Sequence, residues 1–385
     1  MPIILPAGTF LTPGAGSADD TLAGPRITSW RCEVLSSVDE SFLGVLDGVS
    51  DGSITWDAYA AIKSGGTLTI NNIGPSLAWL NVLLRPVATL SLAGSPGVFE
   101  IPMGVYVPSA PTVGWSSTGS VTSVQMLDKS SWLDQDVPTS VTGKAVVYAL
   151  PVGANVMAAI KSLISSVGGL VAGITPNAVA LSVAMVWPEG TTKLKIVNDL
   201  LNSINYGSLW CDRRGQFVVA PYVPPAYRPP VYESLQPFVP GPTSLMTPNW
   251  TQTQDIYAIP NRVVAVGQGS GSTASLVSTV TNERPESPFS YQARGRWITT
   301  VDTGVSVVDQ VSLDSYARKR LSSLSSVGRT QSVVHAFLPD LTVNSIVAFK
   351  NDPANVDTFF TVLKTTVSLS SSTLSTSDFQ EVLTI

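Results

Sequence analysis

From Ile27 to Leu127 the apolar residues recur at every second position in short runs, and each run ends at a turn signal. Trp30, Cys32 and Val34 fall on one face while Ser29, Arg31 and Glu33 fall on the other. Only an extended chain separates its side chains with period two, so this is strand patterning. Further runs follow at Gly44–Val49, Gly52–Trp56, Thr67–Asn71, Leu80–Leu92, Phe99–Val107 and Gly119–Leu127. Asp47-Gly48, Asp51-Gly52, Gly65-Gly66, Asn72 with Gly74-Pro75, and Gly94 to Gly97 read as the turns between them. Many short strands with such punctuation predict an antiparallel barrel or sandwich over residues 27–130.

The period changes after Trp132. Val156, Ile160, Leu163, Ile164 and Val167 recur at helical spacing, and Gly168-Gly169 closes the run. A second helix is expected after a cap at Thr191 or Thr192, with the stripe Leu194, Val197, Leu200, Leu201 and Ile204 and a stop at Gly207. Ser208–Cys211, the turn Asp212 to Gly215 and Gln216–Ala220 then form a hairpin. Residues 131–221 therefore read as a small inserted α+β domain.

Ten prolines between 221 and 260 exclude a helix or a central strand there, so 222–254 is a connecting segment. Tyr222, Tyr227, Tyr232, Phe238 and Trp250 alternate with them, which favours a segment lying against something. Strands resume at Arg262–Gly267, Ala274–Asn282 and Arg296–Val301. A helix from about Val307 to Leu324 has Leu313, Ala317 and Leu321 inward, and four more strands end near Leu383. Residues 255–385 read as a second β-barrel domain with one helix, and residues 1–26 as an N-terminal arm that needs a neighbour for order. The fold class is mainly β with an α+β insertion: two related antiparallel β-barrel units around a small inserted domain.

Charge is the unusual feature of composition. Charged residues make up 13% of the 385, against roughly 25% in an average soluble protein. Ser, Thr, Gly and Pro cover the surface instead. Such a surface suits permanent contacts, because charge is depleted at interface centres; it equally suits an extracellular β-protein. The net charge of −5 argues against specific nucleic-acid binding. The one dense basic cluster, Arg318, Lys319 and Arg320, falls on what reads as a solvated helix face. The start, Met1 to Pro6, lacks the basic and apolar regions of a signal peptide. Val152–Ile174 is interrupted by Asn155, Lys161 and Gly168-Gly169, so no stable membrane insertion is expected.

The residues for chemistry are sparse. His335 is the single histidine and alternates with Val333 and Phe337, the signature of a packed side chain. There is no Gly-x-Ser-x-Gly elbow and no phosphate-cradling loop. Gly267, Gly269 and Gly271 belong to a Gly/Ser hairpin loop. Asp47 with Asp51, and Asp134 with Asp136, are the nearest carboxylate pairs, but they sit where Asp bonds its own backbone. Asp47, Asp51 and Asp57 do not have calcium-loop spacing. Cys32 reads as a small buried hydrophobe, and pairing with Cys211 is left open. No catalytic, cofactor-binding or metal-ligating residue is assigned, and no enzyme activity is expected.

Four ordered stretches give the chain its resemblance to a known family. They are Asp51 to Thr55 with Arg85 to Ala88 and Phe99 to Tyr106; Leu127-Asp128-Lys129 with Trp132-Leu133; Lys195 to Leu201 with Leu209 to Asp212 and Gly215 to Phe217; and Asn261 to Val264 with Glu286 to Pro288, Ala317, Leu321 and Leu341 to Val347. In this order and spacing the chain resembles the hub proteins of bacteriophage tail tips and baseplates, the minor tail proteins of actinobacterial siphophages. The likeness spans about residues 44–364; residues 1–26 and the tract Ser368–Ser377 have no counterpart in it. It implies a homotrimer in which six β units meet a six-fold tail tube. The implied partners are the distal tail protein or tail tube, the tape measure protein, and other tip or fibre proteins. The implied location is the tail tip of a virion assembled in the host cytoplasm. A receptor- or glycan-binding tail protein using Trp and Tyr as stacking platforms is the alternative, and a wall hydrolase a remote third.

Overall fold

The computed structural model describes residues 3–4, 22, 24–71, 77–92, 98–117, 119–169, 171–174, 178–233, 235–241, 244–253, 259–268, 275–305, 307–325, 329–370 and 374–382. The turn signals at 72–75 and 94–97, Gly269, Gly271 and most of the arm lie outside them. Within the first β region run β1 (Ile3–Ile4), β2 (Arg26–Ser36), β3 (Phe42–Val45), β4 (Val49–Asp57), β5 (Ser64–Asn71), β6 (Val82–Leu92), β7 (Val98–Pro102), β8 (Tyr106–Ser116) and β9 (Gly119–Asp128). Helix α1 (Ser130–Asp134) opens the middle region. It continues with β10 (Tyr148–Leu150), α2 (Val156–Ser165), β11 (Val171–Ile174), β12 (Met185–Trp187), α3 (Lys193–Ser203), β13 (Trp210–Cys211) and β14 (Phe217–Val219). The C-terminal region holds β15 (Met246–Thr253), β16 (Arg262–Gly267), β17 (Val277–Thr281), α4 (Tyr291–Arg294), β18 (Thr299–Val305), α5 (Gln310–Ser325), β19 (Thr330–Ala336), β20 (Ile346–Asn351), β21 (Val356–Ser368) and β22 (Leu374–Glu381). The fold is mainly β with a small helical insertion.

The two outer β regions share one sheet. Its path runs β1-β7-β6-β8-β9-β5-β4-β21-β22-β19-β15, with β2, β3 and β20 attached at the side. The join is the antiparallel pair β4–β21, in which Thr55 meets Thr366 and their hydroxyls lie 2.9 Å apart. Beneath it lies a single core with contributions from both regions, including Ile54, Leu68, Val124, Val333, Phe349, Phe360 and Phe379. Leu22, from the expected arm, is 1% exposed in that core, so this part of residues 1–26 is held by its own chain.

Two expected turns are strand interior. Asp51-Gly52 lies within β4 and Gly65-Gly66 within β5. A Cβ on Gly66 would stand 2.0 Å from the Ser53 carbonyl oxygen, and one on Gly52 would stand 2.6 Å from that of Thr67. These glycines let adjacent backbones approach closely, the second meaning of glycine in a strand. β2 also differs from a half-buried strand, since its polar face is covered from Arg31 to Leu35. Arg31 bridges Glu33 and Glu100 at 2.6 and 2.7 Å, Arg85 bridges Glu33 at 2.6 Å, and Leu35 packs with Leu83, Val105 and Trp132.

The inserted elements enclose a core of their own, built by Ile160, Ile164, Leu194, Val197, Leu201, Leu209 and Phe217. Asn155 caps α2 through the Ala158 amide, and Thr192, the second of the two expected residues, caps α3 through that of Lys195. Asn205, not Gly207, supplies the left-handed turn after α3, with φ at 58°; Asn tolerates that region among non-glycine residues.

The proline-rich segment is part of the core wall. Pro230 and Phe238 bridge in parallel to Ile346 and Phe349, and Phe238 packs edge-on to Phe379 at 4.9 Å. The expectation excludes a central strand there, and β15, which includes Pro248, lies at the end of the sheet path. This strand bonds only to β19 among the described residues, with a register break between Met246 and Trp250. An edge and a break are where proline's missing amide is tolerated. Residues 255–385 also divide: β17-β16-β18 form a separate three-stranded sheet, on which α5 packs Leu313 and Ala317 against Ala265. Helix α5 begins at Gln310 rather than Val307, because Asp309 accepts the Ser312 amide at 2.7 Å.

Candidate assembly interface

His335 is 1% exposed in β19. Its Nδ1 lies 2.8 Å from the Ala336 carbonyl and donates to it. Nε2 then accepts from the Ser377 hydroxyl at 2.8 Å, and Ser377 meets Thr365 at 2.9 Å. Burial drives the imidazole pKa down to about 4, the Ala336 bond opposes this, and Arg26 adds to it. A Ser–His contact thus exists, but both side chains are sealed beneath Phe238 and the strand backbone, where no substrate reaches. It ties β19 to β22. Sequence could not pair residues 42 positions apart, although Ser375 and Ser377 alternate with Phe379 as buried strand positions.

The carboxylates bond the backbone beside them. Asp51 accepts the Gly52 amide, Asp57 those of Tyr59 and Ala60, and Asp136 that of Val137. Asp136 also takes Lys193 at 2.5 Å, and Asp47 and Asp134 are exposed. Among the described residues no group of His, Cys, Asp and Glu is arranged to hold a metal. Cys32 and Cys211 are free and buried; burial pushes the Cys32 thiol up to about 12 and the Cys211 thiol well above its ordinary value. An open cleft of about 520 Å³ lies between the β2–β3 turn and the insert, but its Glu40 and Asp136 are already paired with Lys129 and Lys193.

The Leu127-Asp128-Lys129 stretch is a joint. Asp128 is buried and accepts the amides of Ser64 and Ser130 at 2.8 Å each, with both hydroxyls; burial still pushes its carboxyl pKa up. Lys129 is 0% exposed, bonds Glu40 at 2.5 Å and lies over the Trp132 ring. These residues fasten the insert to β5, β9 and the β2–β3 turn. Their motif signals architecture.

Beyond these side chains, the surface carries further information. β3 bonds only to β2 among the described residues, and it exposes Phe42 (58%), Leu43 (59%) and Val45. Beyond Tyr106, β8 bonds only to β9 and exposes Val113 and Trp115 (81%). With β15, this gives three strands that end their ladders among the described residues, and a strand edge is a template for another chain. The face of the joined sheet away from the core is small and polar: Ser123 and Gln125 on β9, Thr67 on β5, Ser53 and Thr55 on β4, Thr366 on β21.

No protein-family model and no curated protein matches the chain. Solved structures do. A tail protein from Neisseria meningitidis MC58 is 15% identical, with a TM-score of 0.60 over 92% of this chain and 97% of that one. The 43 kDa tail protein of prophage MuSo2 from Shewanella oneidensis is 10% identical, with a TM-score of 0.61 over 91% and 98%. The chain shares the fold of these two tail proteins. A prophage tail protein from Listeria monocytogenes EGD-e matches over 91% of this chain and 94% of that one, at 10% identity and a TM-score of 0.54. The tail-protein fold therefore takes in the insert and both β regions together.

Proposed function

We propose that the chain is a structural protein of a phage-type tail, a tip or baseplate hub that assembles as a ring of three. The observation that carries this reading is the joined sheet with exposed apolar side chains on β3 and β8, in a fold shared with tail proteins over nearly its whole length. Three copies with two β regions each present six similar units to a tail tube. A head-to-tail contact that closes needs two different surfaces on each copy, which separate free edges supply. In this reading the chain is not an enzyme, and residues 27–130 and 255–385 are the ring units with 131–221 inserted between them. Its partners are the tube or distal tail protein, the tape measure protein and other tip proteins, and its place is the virion tail.

Sedimentation equilibrium of the purified chain, together with quantitative mass spectrometry of intact particles, tests this. A self-associating species of three copies, present in particles at three copies per tail, is the expected result. A chain that stays monomeric and is missing from particles overturns it.

A further inference from the structure

The basic run on α5 lies only partly on a solvated face, where Arg318 is exposed. Arg320 bridges Asp302 at 3.0 Å, and Lys319 turns inward, donating to the Tyr206 carbonyl at 3.3 Å. Its ammonium lies 4.4 Å from the centre of the Tyr222 ring, and the Arg228 guanidinium lies 5.7 Å from the same ring. Arg228 is fixed by the Val223 carbonyl at 2.7 Å and by the Asn344 carbonyl at 3.0 Å. Lys63, the third cation, donates to the Ala58 carbonyl at 2.8 Å. Tyr59 stands beside Arg228.

Two cations thus lie against one ring from separate parts of the chain, and Lys63 adds its charge to the surroundings of Lys319. None of them has a carboxylate within ion-pair distance among the described residues. Asp57 and Asp128 favour the charge of Lys63, but the charged groups facing Lys319 are Arg228 and Lys63, both cations. Burial, then these two, pushes the Lys319 pKa down to about 8. The Tyr222 ring offsets little of this repulsion, since cation–π attraction is weak beside an ion pair. The Arg228 fork and the Lys319 ammonium leave donors that no acceptor among the described residues takes up.

We propose that Lys319 and Arg228 form a binding site for an oxyanion, a phosphate or carboxylate group, beside Tyr222 where α5, the insert and the proline-rich segment meet. The site stands independently of the tail role. An oxyanion there is held by charge-assisted bonds in a half-buried place, where each is stronger than at the open surface. Binding also restores the charge of Lys319, so the pH dependence is fixed in sign: above about pH 8 the ammonium must first take up a proton, and affinity falls by up to tenfold per pH unit.

The test is calorimetric titration of the full chain with sodium sulfate and, separately, with a hexaglutamate peptide, at constant ionic strength made up with chloride. Saturable one-to-one binding by either ligand is expected, weakened at least tenfold by Lys319→Met or Arg228→Gln and retained by Lys319→Arg. Stronger binding of sulfate assigns a phosphate-type ligand; stronger binding of the peptide assigns an acidic protein segment. The proposal is overturned if neither ligand binds above chloride, or if both charge-removing variants bind as the native chain does. Should those variants fail to fold, an affinity that stays flat from about pH 7 to about pH 9.5 in the native chain overturns it equally.

Discussion

Acid should unfold this protein through one residue. His335 is neutral and enclosed in the fold, with its pKa near 4, whereas in the unfolded chain it titrates near 6.5. Between those values the unfolded state binds the proton and the folded state does not, so stability rises with pH across that window. The contribution is complete above about pH 6.5 and is lost as pH falls towards 4. Each pH unit is worth about 1.36 kcal/mol, so the whole window is worth about 3 kcal/mol. That is a large share of a typical folding free energy of about 5–15 kcal/mol. Asp128 and Glu381 act in the opposite sense, because burial raises their pKa values and their protonated forms suit the fold. The informative quantity is therefore the difference between native protein and His335→Gln, which cannot titrate. Urea unfolding followed by circular dichroism from about pH 7.5 to about pH 4.5 should show a steeper loss in the native protein. As the chain has a single histidine, ring resonances give its pKa directly. Equal slopes in the two proteins, or a measured pKa near 6.5, would refute the reasoning.

Three other perturbations separate the joints of the fold. Glu40→Ala leaves the fully buried Lys129 ammonium without its partner and should cost about 3–5 kcal/mol in urea unfolding. Gly66→Ala places a Cβ against the Ser53 carbonyl and should cost about 1–3 kcal/mol, with loss of amide protection along β4 and β5 in hydrogen exchange. Leu43→Asp, on the free β3 edge, should leave the melting temperature of the isolated chain within about 2 °C while reducing self-association in sedimentation.

The strand runs and both insert helices were legible because they are local. Trp30, Cys32 and Val34 in β2, and the Thr192 cap before Leu194, state their structure within a few residues. Glycine was ambiguous, since Gly65-Gly66 has the composition of a turn but serves close approach of strands. Pro248 excludes a central strand but not an edge one, and being at an edge is a property of the whole sheet. Partner choice was not legible at all. Nothing near Thr55 announces Thr366, and nothing near His335 announces Ser377. The inward turn of Lys319 has the same origin: its ring partner Tyr222 lies in a segment whose position the long-range sheet decides.

The central claim is that two β regions on one sheet exist to be packed against further copies. Electron cryomicroscopy of intact tails tests it most directly, at a resolution sufficient to place strands. The account predicts three copies encircling the tail axis, with the β3 and β8 edges covered by neighbouring protein. Tails without this chain, or copies attached singly with both edges facing solvent, would contradict it.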